Sequence, residues 1–296
     1  MVTTAYLFAG QGSQAVGMGR DLVAAFPAAR ALFERASAIL GLDLLRLCLE
    51  GPAEELDRSD RCQPALLVHG IACLEAARAA RLPEAEAAAG LSLGEYTAHV
   101  YAGSLGFEDA VRLVERRGRY MQEACEAVPS GMVAVLGLPR EKVEEACRDQ
   151  GEVGIANLNA PGQIVISGEK AALERAADRC RRQGARRIVP LPVAGAYHSP
   201  LMKPAQEKLR RDLAAVRISP PRIPVWTNVS ARPLSDPEEI RAALAEQICR
   251  PVLWEDTLRA LGAAKYFEFG PGRILAGLVR RVVPGAEVVS IEGPLS

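Results

Sequence analysis

The chain reads as an α/β protein: a large α/β-hydrolase-like body built on a parallel sheet, with a small ferredoxin-like (βαββαβ) subdomain inserted into it. Three observations predict this. Gly90-Leu91-Ser92-Leu93-Gly94 lies between a strand-compatible run and a helical run, the setting of a strand-turn-helix elbow. From Met132 onward the apolar pattern changes period in the order strand, helix, strand, strand, helix, strand. Composition agrees, since 49% hydrophobic and 24% charged residues in a 296-residue chain suit a globular protein that buries a sizeable core.

The elements follow in order. Ala5 to Phe8 reads as a strand running into the glycines around Gln11, and Pro64 to Ala72 is an apolar helical run that contains His69. Ala85 to Ala89 is a short strand. After the elbow, Glu95 to Tyr101 reads as a helix closed by Gly103, and Phe107 to about Glu126 as a longer one. The insertion then reads as strand 132–136, helix 140–150, strands 153–158 and 163–167, helix 170–183 and strand 187–193. It begins after Pro129-Ser130-Gly131 and ends near Gly195. Residues 131–195 therefore form the small subdomain, and residues 1–130 with 196–296 the large catalytic one. A pocket is expected in the cleft between them.

Ser92 is the candidate nucleophile, because the flanking glycines permit the sharp turn that lifts its hydroxyl above a strand end. The amide of Leu93, at the new helix's N-terminus, faces the place where an oxyanion would form. A serine needs a base, and the chain has only three histidines. His69 sits in an apolar helical run and reads as a core residue. His99 follows Ser92 by seven positions, about 10 Å along a helix axis, beyond proton-transfer reach. His198, in the loop Ala194-Gly195-Ala196-Tyr197-His198 after a strand-like segment, is free to point into a site, so elimination selects it.

Arg117 attracts attention for a different reason. Ala110, Val114, Met121 and Cys125 form an apolar stripe at three- and four-residue steps, and Arg117 falls on that stripe. Arg112, Arg116, Arg119 and Glu123 lie on the other, solvated face. A buried guanidinium demands an anionic partner, either an internal carboxylate or a ligand.

Taken together these residues resemble the malonyl-CoA:acyl carrier protein transacylase family of fatty acid synthesis. The similarity runs from Phe8-Ala-Gly-Gln-Gly-Ser-Gln14, through the elbow continuing as Gly94-Glu-Tyr-Thr-Ala98, to Arg116-Arg-Gly-Arg-Tyr-Met-Gln122 and Asn157-Leu-Asn-Ala-Pro-Gly-Gln-Ile-Val-Ile-Ser-Gly168. It continues through Gly195-Ala-Tyr-His-Ser-Pro-Leu-Met202, Gln247-Ile-Cys-Arg-Pro-Val252 and Glu268-Phe-Gly-Pro-Gly272.

The resemblance implies a role for each matching position. The backbone amide of Gln11 would join that of Leu93 in the oxyanion hole, and Gln247 would orient His198 through a backbone carbonyl, so that no triad aspartate is required. Arg117 would grip the free carboxylate of a malonyl group, a task its planar fork suits. Tyr197 holds a position where malonyl-selective relatives carry a bulky aromatic. Leu91 stands where histidine is common, a packing difference that leaves His198 as the base. The implied partners are malonyl-CoA and acyl carrier protein, and the implied reaction is a two-step transfer through malonyl-Ser92 with no metal or redox cofactor. Two other enzyme readings stay open: a discrete acyltransferase of a polyketide synthase, and a carrier-protein editing hydrolase, against which Arg117 argues.

Composition bears on other function classes. Lys+Arg and Asp+Glu both number 36, and a net charge of zero lacks the basic excess of a nucleic-acid footprint. An RNA-reading sheet of βαββαβ order would need exposed aromatics, where this chain has Ile155, Ile164 and Val165. Seven irregularly spaced cysteines suit neither a disulfide framework nor a zinc site and point to reduced thiols in the cytoplasm. The first residues lack the basic and apolar regions of a signal peptide, and no apolar span is long enough for a membrane.

Overall fold

The computed structural model describes residues 2–295. Its strands are β1 (Thr4–Phe8), β2 (Ala87–Gly90), β3 (Ser130–Leu136), β4 (Val153–Ala160), β5 (Gln163–Glu169), β6 (Arg187–Pro190), β7 (Val225–Trp226), β8 (Pro233–Leu234), β9 (Lys265–Phe269) and β10 (Glu287–Ile291). They form a six-stranded sheet in the order β10-β9-β1-β2-β7-β8 and a four-stranded sheet in the order β4-β5-β3-β6. In the larger sheet every pairing is parallel except that of β8, an edge strand that turns back antiparallel on β7.

All five residues of β1 are buried, the continuous apolar run required of a strand covered on both faces. One face packs Tyr6, Phe8, Phe267 and Phe269 against the helices that include Ser59–Ala79 and Leu93–Tyr101. The other packs Leu7 and Tyr266 against Trp254, Leu258 and Val279. Alanine is a weak strand former, yet β2 is Ala-Ala-Ala-Gly and buried throughout, and its last residue sits where the following helix leaves no room for a side chain. A Cβ on Gly90 would lie 1.9 Å from the Gly94 carbonyl carbon, and one on Gly94 would lie 2.1 Å from the Phe8 oxygen. The elbow glycines are thus set by packing.

The smaller sheet is antiparallel throughout, with β3 and β5 central, the ferredoxin-like arrangement. It has a core of its own, in which Val135 and Ile166 pack against Val143, Leu173 and Cys180. Several boundaries differ from expectation by one to three residues, and three have a clear physical reason or bear on the site. The helix expected over 140–150 stops at Cys147, where Arg148 is extended and Asp149 has φ 60°. The strand expected over 187–193 ends at Pro190, since Pro190 and Pro192 cannot donate to a ladder. The strand expected from Ala85 starts at Ala87.

Because β1 and β2 are parallel neighbours, with Phe8 opposite Gly90, their carboxyl ends lie side by side. Ligands in such sheets bind beyond those ends. A Cβ on Gly10 would meet the Leu91 oxygen at 2.3 Å, so the Gln11 loop rests directly on the elbow.

Candidate active site

Ser92 holds the elbow in a backbone conformation rare for a side-chain-bearing residue, φ 52° and ψ −103°. Such a conformation costs about 1–3 kcal/mol and must be imposed by its surroundings. Three hydrogen bonds do so. The Ser92 amide donates to Asn228 Oδ1 at 2.6 Å, while the Ser92 carbonyl accepts from the Glu95 amide at 3.1 Å and from Gln247 Nε2 at 3.0 Å. Asn228, in the turn between β7 and β8, also donates through Nδ2 to the Gly90 carbonyl at 2.8 Å.

The hydroxyl so presented lies 2.9 Å from His198 Nε2. His198 Nδ1 lies 2.8 Å from the Gln247 carbonyl, which can only accept, so Nδ1 carries the proton and Nε2 offers its lone pair to Ser92. Burial first, and then the nearby Arg117 cation, push the imidazole down to about 4, so it is neutral and ready to take a proton. The other histidines sit apart from Ser92 as expected. His69 Nδ1 meets Cys73 Sγ at 3.4 Å, and His99 Nδ1 meets Ser104 Oγ at 2.7 Å.

Arg117 is 1% exposed. Its helix, Phe107–Ala127, packs so closely on Ser59–Ala79 that a Cβ on Gly118 would lie 2.2 Å from the Ser59 oxygen, and this approach carries the guanidinium to the nucleophile. Arg117 Nη2 donates to Ser92 Oγ and to Gln247 Oε1, both at 3.0 Å, and Nη1 to Gln63 Oε1 at 2.7 Å. All three acceptors are neutral. The internal ion pair that burial alone would allow is therefore not a direct one, and the side chain's Nε has no partner among the described residues. Arg112, Arg116, Arg119 and Glu123 are exposed on the opposite face.

A cleft of about 530 Å³ opens over Ser92 and His198. Gln11, Leu91 and Tyr197 line it from the large body, and Met132, Asn157 and Val165 from the smaller sheet. Gln11 Nε2 donates to Ser59 Oγ at 3.1 Å, and Ser59 Oγ in turn lies 2.8 Å from the Tyr197 hydroxyl. The backbone amides of Gln11 and Leu93 donate to no protein acceptor among the described residues. The structure thus joins Ser92, His198, Arg117 and Gln247 by direct hydrogen bonds and sets Gln11, Leu93 and Tyr197 around them.

Four residues escaped the sequence reading. Asn228 and Ser59 have no local signal, being distant loop and helix positions whose partners are fixed by folding. Gln63 and Glu95 had only a weak one: Gln63 stands just before the apolar run that opens at Pro64, and Glu95 opens the helix after the elbow, places where a polar residue is ordinary. Glu95 is fully buried and accepts through Oε2 from Gln247 Nε2 at 2.6 Å and from the Asn228 amide at 3.0 Å.

Comparison with known proteins agrees with this geometry. The acyl transferase domain family model matches residues 5–269. The malonyl CoA-acyl carrier protein transacylase of Salmonella typhimurium is 42% identical over 302 residues, spanning 99% of this chain and 97% of that protein. Among solved structures, an acyl carrier protein S-malonyltransferase from Vibrio cholerae superposes with a TM-score of 0.95 at 42% identity, covering 98% of this chain and 97% of that one. A malonyl-transacylase in complex with its type II PKS acyl-carrier protein superposes with a TM-score of 0.94 at 41% identity, covering 98% and 96%.

Proposed function

The chain belongs to the acyl transferase domain family, and on that premise we propose that it transfers the malonyl group of malonyl-CoA to the phosphopantetheine thiol of acyl carrier protein, supplying fatty acid synthesis. The observation that carries this reading is a single hydroxyl with two partners: Ser92 Oγ lies 2.9 Å from His198 Nε2 and 3.0 Å from a buried Arg117 guanidinium. The first is a nucleophile with its base. The second is a cation placed where a short acyl chain ending in a carboxylate would end.

His198 Nε2 takes the Ser92 proton as Oγ attacks the thioester carbonyl. The amides of Leu93 and Gln11 stabilise the oxyanion. The carbon-sulfur bond then breaks and the proton passes to the CoA sulfur, leaving malonyl-Ser92. An imidazole held near 4 is a weak base but its cation is a strong acid, which favours release of that proton to the leaving thiolate. Arg117 turns its fork to the malonyl carboxylate. The carrier thiol next gives its proton to His198, attacks the ester and restores Ser92. Only a proton and an acyl group move, so the chemistry calls for no metal or redox cofactor. Tyr197 bounds the acyl pocket, its hydroxyl tied to Ser59. Among the described residues no helix is long and apolar enough to cross a membrane, and all seven cysteines are free, which supports work in the reducing cytoplasm.

Intact mass spectrometry tests the reading. The wild type should gain a malonyl adduct from malonyl-CoA and lose it to acyl carrier protein, whereas Ser92→Ala should gain none while remaining folded. An adduct on Ser92→Ala would overturn the role of Ser92, and a wild-type adduct lost to water but not to carrier protein would favour an editing hydrolase.

A further inference from the structure

We propose that Glu95 is the counter-ion of Arg117 and a positioning residue of the transfer, acting through the side-chain amide of Gln247. The buried cation has only neutral atoms in contact, yet one amide away lies a carboxylate that is itself 0% exposed. Gln247 spans the two. Its Oε1 accepts from Arg117 Nη2 at 3.0 Å and its Nε2 donates to Glu95 Oε2 at 2.6 Å, so the amide dipole points its oxygen at the cation and its N–H at the anion. This alignment lowers the energy of both charges, and neither has a closer neutralising partner.

The same carboxylate oxygen holds the nucleophile. Glu95 Oε2 accepts from the Asn228 amide at 3.0 Å, and the Asn228 side chain holds the Ser92 amide and the Gly90 carbonyl. Gln247, in turn, binds the Ser92 carbonyl through Nε2 and His198 through its backbone oxygen. Glu95 thus stands behind Ser92, His198 and Arg117, fully buried and outside the lining of the cleft. Burial raises its carboxyl to about 7, while Arg117 and the two N–H donors pull the other way, so the group is largely ionised at about pH 8.5.

A consequence follows for specificity, resting on the malonyl reading above. When a malonyl carboxylate arrives, two anions share one guanidinium. Glu95 then weakens the grip on malonyl, which keeps malonyl-Ser92 from becoming a trap and lets the acyl group move on. Acetyl carries no second carboxylate and is not subject to this competition.

Glu95→Gln isolates the charge. Both hydrogen bonds to Glu95 end on Oε2, and Oε1 has no partner among the described residues, so an amide oxygen can take the occupied place and the network can persist. At about pH 8.5 the KM of Glu95→Gln for malonyl-CoA should fall, with kcat falling alongside it. The malonyl-over-acetyl ratio of kcat/KM should rise at least about threefold. A residue of purely structural importance would lower both substrates equally. An unchanged or reduced ratio overturns the proposal.

A thermal cycle tests the pairing without activity. At about pH 8.5, where Glu95 is ionised, Glu95→Gln and Arg117→Met should each melt below wild type, and the double variant should melt no lower than the weaker single one, since no unpaired charge is left behind. Additive losses would overturn the counter-ion. If the wild type took no malonyl at all, the functional reading would fall and the thermal cycle alone would decide the pairing.

Discussion

Arg117→Ala should reduce malonyl transfer far more than acetyl transfer. In the free protein the guanidinium makes three hydrogen bonds to neutral atoms, of 2.7, 3.0 and 3.0 Å, and none to a carboxylate. No carboxylate touches the cation directly, so a ligand carboxylate that displaces these neutral acceptors gains a charge-assisted, bidentate contact. Loss of such a contact in a buried site costs about 2–4 kcal/mol of transition-state binding, or about 30- to 1000-fold in rate. The variant also does damage common to both substrates. Ser92 Oγ loses a donor, and the side-chain oxygens of Gln63 and Gln247 are left short of one, at about 1–3 kcal/mol for each buried group unsatisfied. The ratio of the two substrates removes that common term. We would measure kcat/KM for malonyl-CoA and acetyl-CoA with one carrier protein, together with the melting temperature. The malonyl-to-acetyl preference should fall at least about tenfold, and Arg117→Lys, which keeps charge without the fork, should lie between. An equal loss for both substrates in a variant that melts early would refute the carboxylate grip and leave Arg117 as a structural residue.

Two further outcomes are expected. His198→Ala should slow acylation and transfer together by about 10²- to 10⁴-fold, because one imidazole serves both half-reactions. Single-turnover rates near wild type, with His99→Ala inactive instead, would reject the assignment. Acid should destabilise the fold in a defined window. His69, His99 and His198 are each pushed by burial from 6.5 down to about 4, so unfolding takes up protons as pH falls below about 6.5 and stability is lost progressively down to about 4. Each contributes up to about 1.4 kcal/mol per pH unit there. Glu95 acts in the opposite sense. Raised from 4.5 to about 7, it keeps its proton in the folded state across that interval and offsets about one histidine. Urea unfolding should therefore show a clear loss of stability from pH 6.5 to 4.5, and a flat profile would contradict the buried neutral histidines.

Much of this protein is legible locally. The strand-elbow-helix around Ser92 is visible because two glycines and a helix start occur within a few residues, and the structure begins the helix at Leu93, directly after the nucleophile. Arg117 stands out because a charge interrupts an apolar stripe of period 3.6. The six elements of the smaller sheet are visible in order because their patterning changes between periods of two and 3.6. Boundaries set by proline or by a left-handed residue, at Pro190 and Asp149, were less so. There a single backbone preference outweighs a continuing apolar pattern.

By itself the sequence determined the strand and elbow around Ser92, the helix that carries Arg117 and the six elements of the smaller sheet, while the strands from Val225 to Ile291 went unread. It also determined which serine and histidine could act together, and that a buried cation needs an anion. Which side chains surround that cation, and what holds the nucleophile, were decided only in three dimensions. Strand order brings β2 against both β1 and β7, so the elbow meets the Gln11 loop on one side and Asn228, 136 residues beyond Ser92, on the other. Gln247 closes the site from 155 residues past Ser92. Side-chain periodicity is a property of neighbouring residues and can be read along a chain. A hydrogen bond across such separations depends on how sheets and helices pack, and the polar residues that make it, Asn228 above all, carry no mark in their own segment to announce it.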